Sequence, residues 1–228
     1  MGPVFNGMPK IYFYHQTKDE MFIPKAVIFD LGGVIINLNY NATAEAFKNL
    51  GIANFDDVYS KQKQERLFDD FEKGIITPTQ FRERIRKHIS HPVRDIEIDR
   101  AWDAMLLDIP SYRIQWLNKL RKRYRIFLLS NTNEIHITGF TNILLDCFGE
   151  NVFETIFEKI YYSCYLNKRK PDHEIFERVL NDNKLLKEET LFVDDSEQHI
   201  TAAKQFGLHT LQLQTNGDIS KELNYLLA

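Results

Sequence analysis

Short, almost uninterrupted apolar runs that end in polar residues constrain this chain most. Read as strands, they are Ala26–Asp30, Arg125–Ser130, Ile160–Ser163, Thr190–Asp194 and Thr210–Leu213. A strand that is apolar at consecutive positions is covered on both faces, which is the habit of parallel sheets. Patterns of helical period separate the runs: Ser111–Arg123, Glu134–Phe148, Asp172–Asn181, Ser196–Phe206 and Ser220–Leu227. This alternation predicts an α/β fold built on a doubly wound parallel sheet.

The alternation breaks once. From about Asn39 to Asp108 only helical periodicity occurs, as in ATAEAFKNL, QERLFDDFEKG, PTQFRERIRKHI and IDRAWDAMLL. Thr77-Pro78 reads as a helix start with proline at the first helical position. A crossover between parallel strands needs only about a dozen residues, so the surplus predicts an inserted all-helical module. The expected organisation is an N-terminal extension (1–24), a discontinuous α/β core (25–38 and 108–228) and a helical insert (39–107). Phe68, Phe71, Phe81 and Trp102 read as the interior of that insert. The charge runs KQKQER and RERIRK read as solvated helix faces. No function is assigned to the extension, within which Met21 is an alternative start.

The net charge of −3 leaves no basic excess to displace counterions from nucleic acid. No run reaches the roughly 18 apolar residues of a membrane-spanning helix, and the N-terminus lacks a signal-peptide pattern. The cysteines, Cys147 and Cys164, have no metal-like spacing and are too few for a disulfide framework. The expectation is a cytoplasmic monomer with neither nucleic acid nor membrane as partner.

In open α/β sheets, ligands bind beyond the carboxyl ends of the strands. Those ends carry Asp30, Ser130 with Asn131, Ser163, and Asp194 with Asp195. A carboxylate such as Asp30 can attack with one oxygen while the other binds a cation. Adjacent acids such as Asp194 and Asp195 repel unless a cation lies between them, and magnesium prefers hard oxygen ligands. Ser130 and Asn131 precede a helix, where a hydroxyl and backbone N–H groups can hold an anion. For each residue the bland alternative is a turn or helix cap, and S-N-T-N is a common capping sequence.

Taken in order, FDLGGV at Asp30, LLSNTN at Ser130, RKPD at Lys170 and LFVDDS at Asp194 and Asp195 resemble the four motifs of the haloacid dehalogenase (HAD) superfamily. The branch resembled carries a helical cap after the first strand, and the resemblance runs from Lys25 to the C-terminus. It implies a Rossmann-like core and phosphoryl transfer through an aspartyl-phosphate on Asp30, with Mg2+ as cofactor and a small phosphorylated metabolite as substrate. Asp30, Ser130 and Lys170 are then catalytic. Asp30, the Gly32 carbonyl, Asp195 and Asp194 surround the metal, Asp195 being the first choice for direct ligation. Ser130, Asn131, Lys170, Gly32 and Gly33 surround the phosphate. The segment FEKGIITPTQF resembles the cap turn that reaches over the site in this branch, which makes Glu72, Lys73 and Gly74 substrate-contact candidates. A plain helix stop is the alternative there. His136 is placed near the site, with a structural role as the alternative. Lys168 reads as part of a solvated turn, and Arg169 stays open.

The sequence departs from the pattern at Gly32, where phosphatases and phosphomutases of the superfamily usually carry an aspartate. That acid protonates the leaving oxygen and then activates the incoming nucleophile, a contribution of about 10²–10⁴-fold in rate. Its loss disfavours a β-phosphoglucomutase-like phosphomutase. A phosphatase is compatible with Gly32 if the leaving group is good, as in a sugar 1-phosphate, or if a proton comes from elsewhere. A catalytically weak binding or regulatory protein is the alternative outside enzymology.

Overall fold

Successive side chains of a strand point to opposite faces, so runs without polar gaps need cover on both sides, and they receive it. In the computed structural model, which describes residues 22–52, 61–214 and 217–228, the apolar runs form one parallel sheet. Its strands are β1 (Ala26–Phe29), β2 (Arg125–Ser130), β3 (Lys159–Tyr162), β4 (Thr190–Asp194) and β5 (His209–Gln212), in the order β3-β2-β1-β4-β5. In β1, Val27 and Phe29 pack into one core layer with Leu117, Phe140 and Leu144, while Ala26 and Ile28 pack into the other with Phe176 and Ala203. The expected strand boundaries hold to within a residue at each end: Asp30 lies just past β1, and β3 and β5 each begin and end one residue earlier.

Among the described residues, the helices of the insert are α1 (Tyr40–Asn49), α2 (Lys61–Glu72), α3 (Pro78–Arg86) and α4 (Asp95–Asp103). Thr77 caps α3 in a capping box with Gln80, and Pro78 opens the helix. The insert has its own apolar cluster, in which Phe68, Phe71, Phe81 and Trp102 are all buried. Phe68 stacks on Trp102 at 5.0 Å and Phe71 on Phe81 at 4.4 Å between ring centroids. The sheet is flanked by α5 (Ser111–Leu120), α6 (Glu134–Phe148), α7 (Phe153–Ile156), α8 (Ser163–Leu166), α9 (His173–Asn183), α10 (Glu197–Phe206) and α11 (Ile219–Glu222). The expected helix at Ser220–Leu227 is α11 followed by a 3₁₀ turn at Asn224–Leu227. The four-residue helices α7 and α8 are too short to leave a period in the sequence. Residues 1–21 of the extension lie outside the described residues.

The two chain crossings between sheet and insert pair with each other. The Asn37 N–H donates to the Asp108 carbonyl (3.0 Å), the Leu107 N–H to the Asn37 carbonyl (3.0 Å) and the Asn39 N–H to the Met105 carbonyl (2.9 Å). The buried Arg113 of α5 clamps this crossing by donating to Ile35 O (3.1 Å) and Asn37 Oδ1 (2.9 Å). On the other side, Ile135 of α6 joins the cluster of the insert, and Trp102 Nε1 donates to Asn133 Oδ1 (3.3 Å). Among the described residues no helix is long and apolar enough to cross a membrane.

Candidate active site

Parallel register brings three strand ends level. Phe29 lies opposite Leu128 on one side and Val193 on the other, and the Asp30 N–H donates to the Val193 carbonyl at 2.8 Å. Asp30, Asp194 and Asp195 each place a carboxylate oxygen within 4.8 Å of the others. The floor of the site is almost dry: Asp30 is 7% exposed, Ser130 3%, and Asp194 and Lys170 0%.

Three carboxylates this close in a buried place oppose one another's ionisation. Lys170 offsets part of that, its Nζ lying 2.7 Å from Asp30 Oδ1 and 2.7 Å from Asp194 Oδ2. Burial alone would depress the ammonium, but Asp194 and Asp30 hold its pKa above the ordinary value. Burial also opposes the Asp194 charge, yet Lys170 and His199 prevail and bring that carboxyl down to about 2. Asp194 has both oxygens engaged. Oδ1 accepts from the Ser196 N–H (2.8 Å), Oδ2 faces Lys170, and His199 Nδ1 lies 3.1 Å from each.

Asp30 stands differently. Burial pushes its carboxyl up to about 7, Lys170 pulls it down, and the charges of Asp194 and Asp195 add to the rise. Burial and Asp194 also raise Asp195, whose carboxylate accepts no hydrogen bond from another described residue. One ammonium therefore faces three carboxyls, and the least engaged oxygens belong to Asp30 and Asp195. Hard oxygen donors around unmatched negative charge fit a magnesium-sized cation. Asp195 is free for direct ligation, whereas Asp194 is committed to Lys170, His199 and the start of α10.

The turn after β1 completes the floor. The Gly33 N–H donates to the Ile36 carbonyl (2.9 Å) and the Ile36 N–H to the Leu31 carbonyl (3.0 Å), so neither bond uses the Gly32 carbonyl. Gly33 has φ of +68°, and a Cβ there would stand 2.2 Å from Asp195 Oδ2. Only glycine tolerates both conditions. At Gly32 a Cβ would meet Leu38 Cδ1 at 2.7 Å. The end of the Leu38 side chain thus packs against Gly32.

The remaining phosphate candidates divide. Asn133, not Ser130 or Asn131, caps α6, its side chain accepting from the His136 N–H. Ser130 is left with one long contact to the Asn131 carbonyl (3.5 Å) and lines the cavity. The Asn131 amide is spent on the Lys170 backbone: its Nδ2 donates to Lys170 O (2.8 Å) and its Oδ1 accepts from Lys170 N (2.9 Å). This reciprocal pair holds the loop that delivers Lys170, so only the backbone of Asn131 is left for an anion.

The insert roofs a cavity of about 250 Å³ lined by Asp30, Gly32, Ser130 and Asp195 below and by Tyr40, Glu72 and Trp102 above. Of the three cap candidates, Glu72 lines this space; Lys73 and Gly74 do not. Lys73 faces Asp69 (3.3 Å) and Asp172 (3.7 Å). Gly74, at φ +66°, sits so close to α8 that a Cβ would stand 2.0 Å from the Cys164 carbonyl oxygen. Both belong to a helix stop docked on the core, which is the plain reading of that sequence. Ser163 completes the docking, accepting from the Thr132 N–H (2.9 Å) and donating to the Glu72 carbonyl (2.6 Å).

Two further residues, Arg169, left open by its sequence context, and His199, take part in the site. Arg169 lines the cavity and pairs with Asp69 and with Glu72 Oε2 (3.3 Å). His199 steadies Asp194 from the first turn of α10. Each role comes from a partner distant in the chain or on a neighbouring turn, and neither has a sequence signature. Lys168 pairs with Glu174 at the surface.

Comparison with known proteins agrees with this geometry. The haloacid dehalogenase-like hydrolase family matches residues 24–207. The chain is 30% identical over 203 residues to D-ribitol-5-phosphate phosphatase of Bacteroides thetaiotaomicron, covering 89% of this chain and 98% of that protein. It is 29% identical to a sesquiterpene phosphatase of Aspergillus oryzae, covering 89% and 96%. A HAD family enzyme from Bacteroides thetaiotaomicron, solved in complex with magnesium and inorganic phosphate, superposes with a TM-score of 0.79 at 38% identity, covering 87% and 98%. With four motifs in order, a sheet that brings them to one edge and a match spanning most of its length, the chain belongs to the haloacid dehalogenase-like hydrolase family.

Proposed function

We propose that the protein is a magnesium-dependent phosphatase acting on a small hydroxylated phosphate ester of the sugar or sugar-alcohol class, through an aspartyl-phosphate on Asp30. The observation that carries this reading is the buried Asp30–Lys170–Asp194 chain with Asp195 left open beside it, under a roof that encloses about 250 Å³. That volume lies just below the roughly 300–1,000 Å³ of drug-sized ligand sites, which suits a small metabolite. The polar side chains of Glu72, Arg169 and His136 in the wall favour a hydroxylated substrate over a terpenyl one. The names and ligands of the relatives support the same class.

Asp30 attacks phosphorus with one carboxylate oxygen. Lys170 favours the ionised form of Asp30 against burial and offers positive charge to the phosphoryl oxygens, the main requirement of this chemistry. Ser130 and the backbone N–H groups after it, at the approach to α6, hold the non-bridging oxygens. Magnesium on Asp30, Asp195 and the Gly32 carbonyl would neutralise developing charge. Asp194 acts through Lys170 as a positioning residue. The phosphomutase reading is weakened by Gly32, which carries no acid for a reaction that uses one twice.

The test is phosphate release from a panel of sugar, sugar-alcohol and aryl phosphates, with magnesium or with chelator, for the wild type and Asp30→Ala. Turnover that needs both magnesium and Asp30 is expected. Undiminished turnover in Asp30→Ala would sink the reading.

A further inference from the structure

A phosphorylated sugar alcohol leaves as an ordinary alkoxide, which must be protonated as it departs. Position 32 is a glycine and holds no acid. The wall of the same cavity carries a histidine, His136, that is paired with an acid behind it, Asp103. His136 lies in the first turn of α6, is 8% exposed and lines the cavity together with Asp30 and Gly32. Its ring stacks on Trp102 at 4.9 Å between centroids and 12° between planes. Its Nδ1 is 2.8 Å from Asp103 Oδ1, at the end of α4. Asp103 is itself held close against α6, since a Cβ on Gly139 would stand 2.6 Å from its Oδ2.

A carboxylate on one imidazole nitrogen fixes the tautomer and orientation of the ring and leaves the second nitrogen to exchange protons. Nε2 of His136 has no hydrogen-bond partner among the described residues. Glu72, the other acid in this part of the wall, is tied to Arg169. We propose, resting on the phosphatase reading above, that His136 held by Asp103 donates the proton that a residue at position 32 cannot supply. In the first half-reaction an Asp30 oxygen bonds to phosphorus as the bond from phosphorus to the substrate oxygen breaks. The departing oxygen keeps that electron pair and takes the proton from Nε2, which leaves a neutral ring. In the second, the neutral ring accepts a proton from water as the water oxygen bonds to phosphorus. The Asp30–phosphorus bond then breaks, and both residues return to their starting state. Asp103 is a positioning residue in this scheme.

Leaving-group dependence tests the proposal. A p-nitrophenolate leaves without a proton, whereas the alkoxide of a sugar-alcohol phosphate does not. In His136→Ala, kcat/KM on sugar-alcohol phosphates, which reports the first half-reaction alone, should fall by about 10²–10⁴-fold, with a far smaller fall on p-nitrophenyl phosphate, and added imidazole should recover part of the loss. Asp103→Asn should show the same selectivity more weakly, and it keeps the test decisive if His136→Ala does not fold. Glu72→Gln should lack that selectivity. Equal losses of kcat/KM on both esters in a folded His136→Ala or Asp103→Asn protein would overturn the proposal, as would selective loss in Glu72→Gln alone. A wild type that hydrolyses no ester would strike the phosphatase reading itself, and this proposal with it.

Discussion

The floor and the roof of the cavity are built on opposite plans. The floor is a closed set of charges at the ends of neighbouring parallel strands. Lys170 joins Asp30 to Asp194, and His199 and the Ser196 N–H close the far side of Asp194. The roof is an aromatic cluster that sends a few polar groups downward: Glu72 against Arg169, and Trp102 against His136. Strand ends held by a hydrogen-bonded ladder cannot shift separately, so the floor is preorganised for chemistry. The roof hangs on two paired crossings and a docked helix stop, so it can vary what it recognises while the floor stays the same.

The sharpest way to break the comparison is at its centre. Lys170→Met leaves Asp30 and Asp194 facing each other in a dry place. Breaking a buried pair in this way costs about 3–5 kcal/mol. Without magnesium, the variant should lose several degrees of Tm, because each kcal/mol moves the midpoint of a chain this long by about 2–4 °C. Turnover should fall with it. A wild-type Tm in the metal-free variant would mean that the floor is not the closed network described here.

A second test uses pH. Without metal, the Asp30 carboxyl is raised from the ordinary 3.8 to about 7. The folded state therefore holds a proton that the unfolded chain releases. Stability from this group is fully present below about pH 4 and is lost as pH rises through about 7, at up to about 1.4 kcal/mol per pH unit. Chelated protein should lose stability over that window, and Asp30→Asn should flatten the profile. Because magnesium favours the ionised carboxylate, its stabilising effect should be larger at pH 8 than at pH 6. A magnesium shift in Tm that is independent of pH would contradict this. Asp194, lowered to about 2, works in the opposite sense: its contribution is present above about pH 4 and lost as pH falls through 2.

Smaller effects separate the turn from the roof. Gly33→Ala forces a Cβ to within 2.2 Å of Asp195 Oδ2 at a positive φ. A left-handed non-glycine residue alone costs roughly 1–2 kcal/mol, and a displaced Asp195 should raise the magnesium concentration needed for half-maximal turnover. Unchanged magnesium dependence would remove Asp195 from the metal. Arg169→Ala, which releases Glu72 from a partly exposed pair, should raise KM several-fold with kcat nearly intact. A collapse of kcat would instead place Arg169 with the floor.

The division between floor and roof is also the division between what could and could not be read in the chain. Asp30, Ser130, Lys170, Asp194 and Asp195 lie at ends of apolar runs or beside them, and parallel pairing has to bring such ends to one edge of the sheet. The glycines after Asp30 pointed to a tight turn. The helical character of the insert followed from its period, as did the burial of its aromatic residues. Short helices such as α7 and α8 left no trace, because a single turn carries no period. In the roof, Glu72 faces the cavity while its neighbours Lys73 and Gly74 face the core. One residue of rotation on a helix end decides that, and its phase is set by how α2 docks on α8.

The sequence by itself thus determined the architecture and the chemical groups at the strand ends, because hydrogen-bonded strands of fixed period leave little freedom. Only the tertiary structure decided which of those groups are free. It gave Asp194 to Lys170 and His199 and left Asp195 open. It packed the end of Leu38 against Gly32 and brought Asp103 of the insert onto His136 of the core. These are contacts between residues far apart in the chain, and their energies depend on distance and burial, which arise only when the chain is packed.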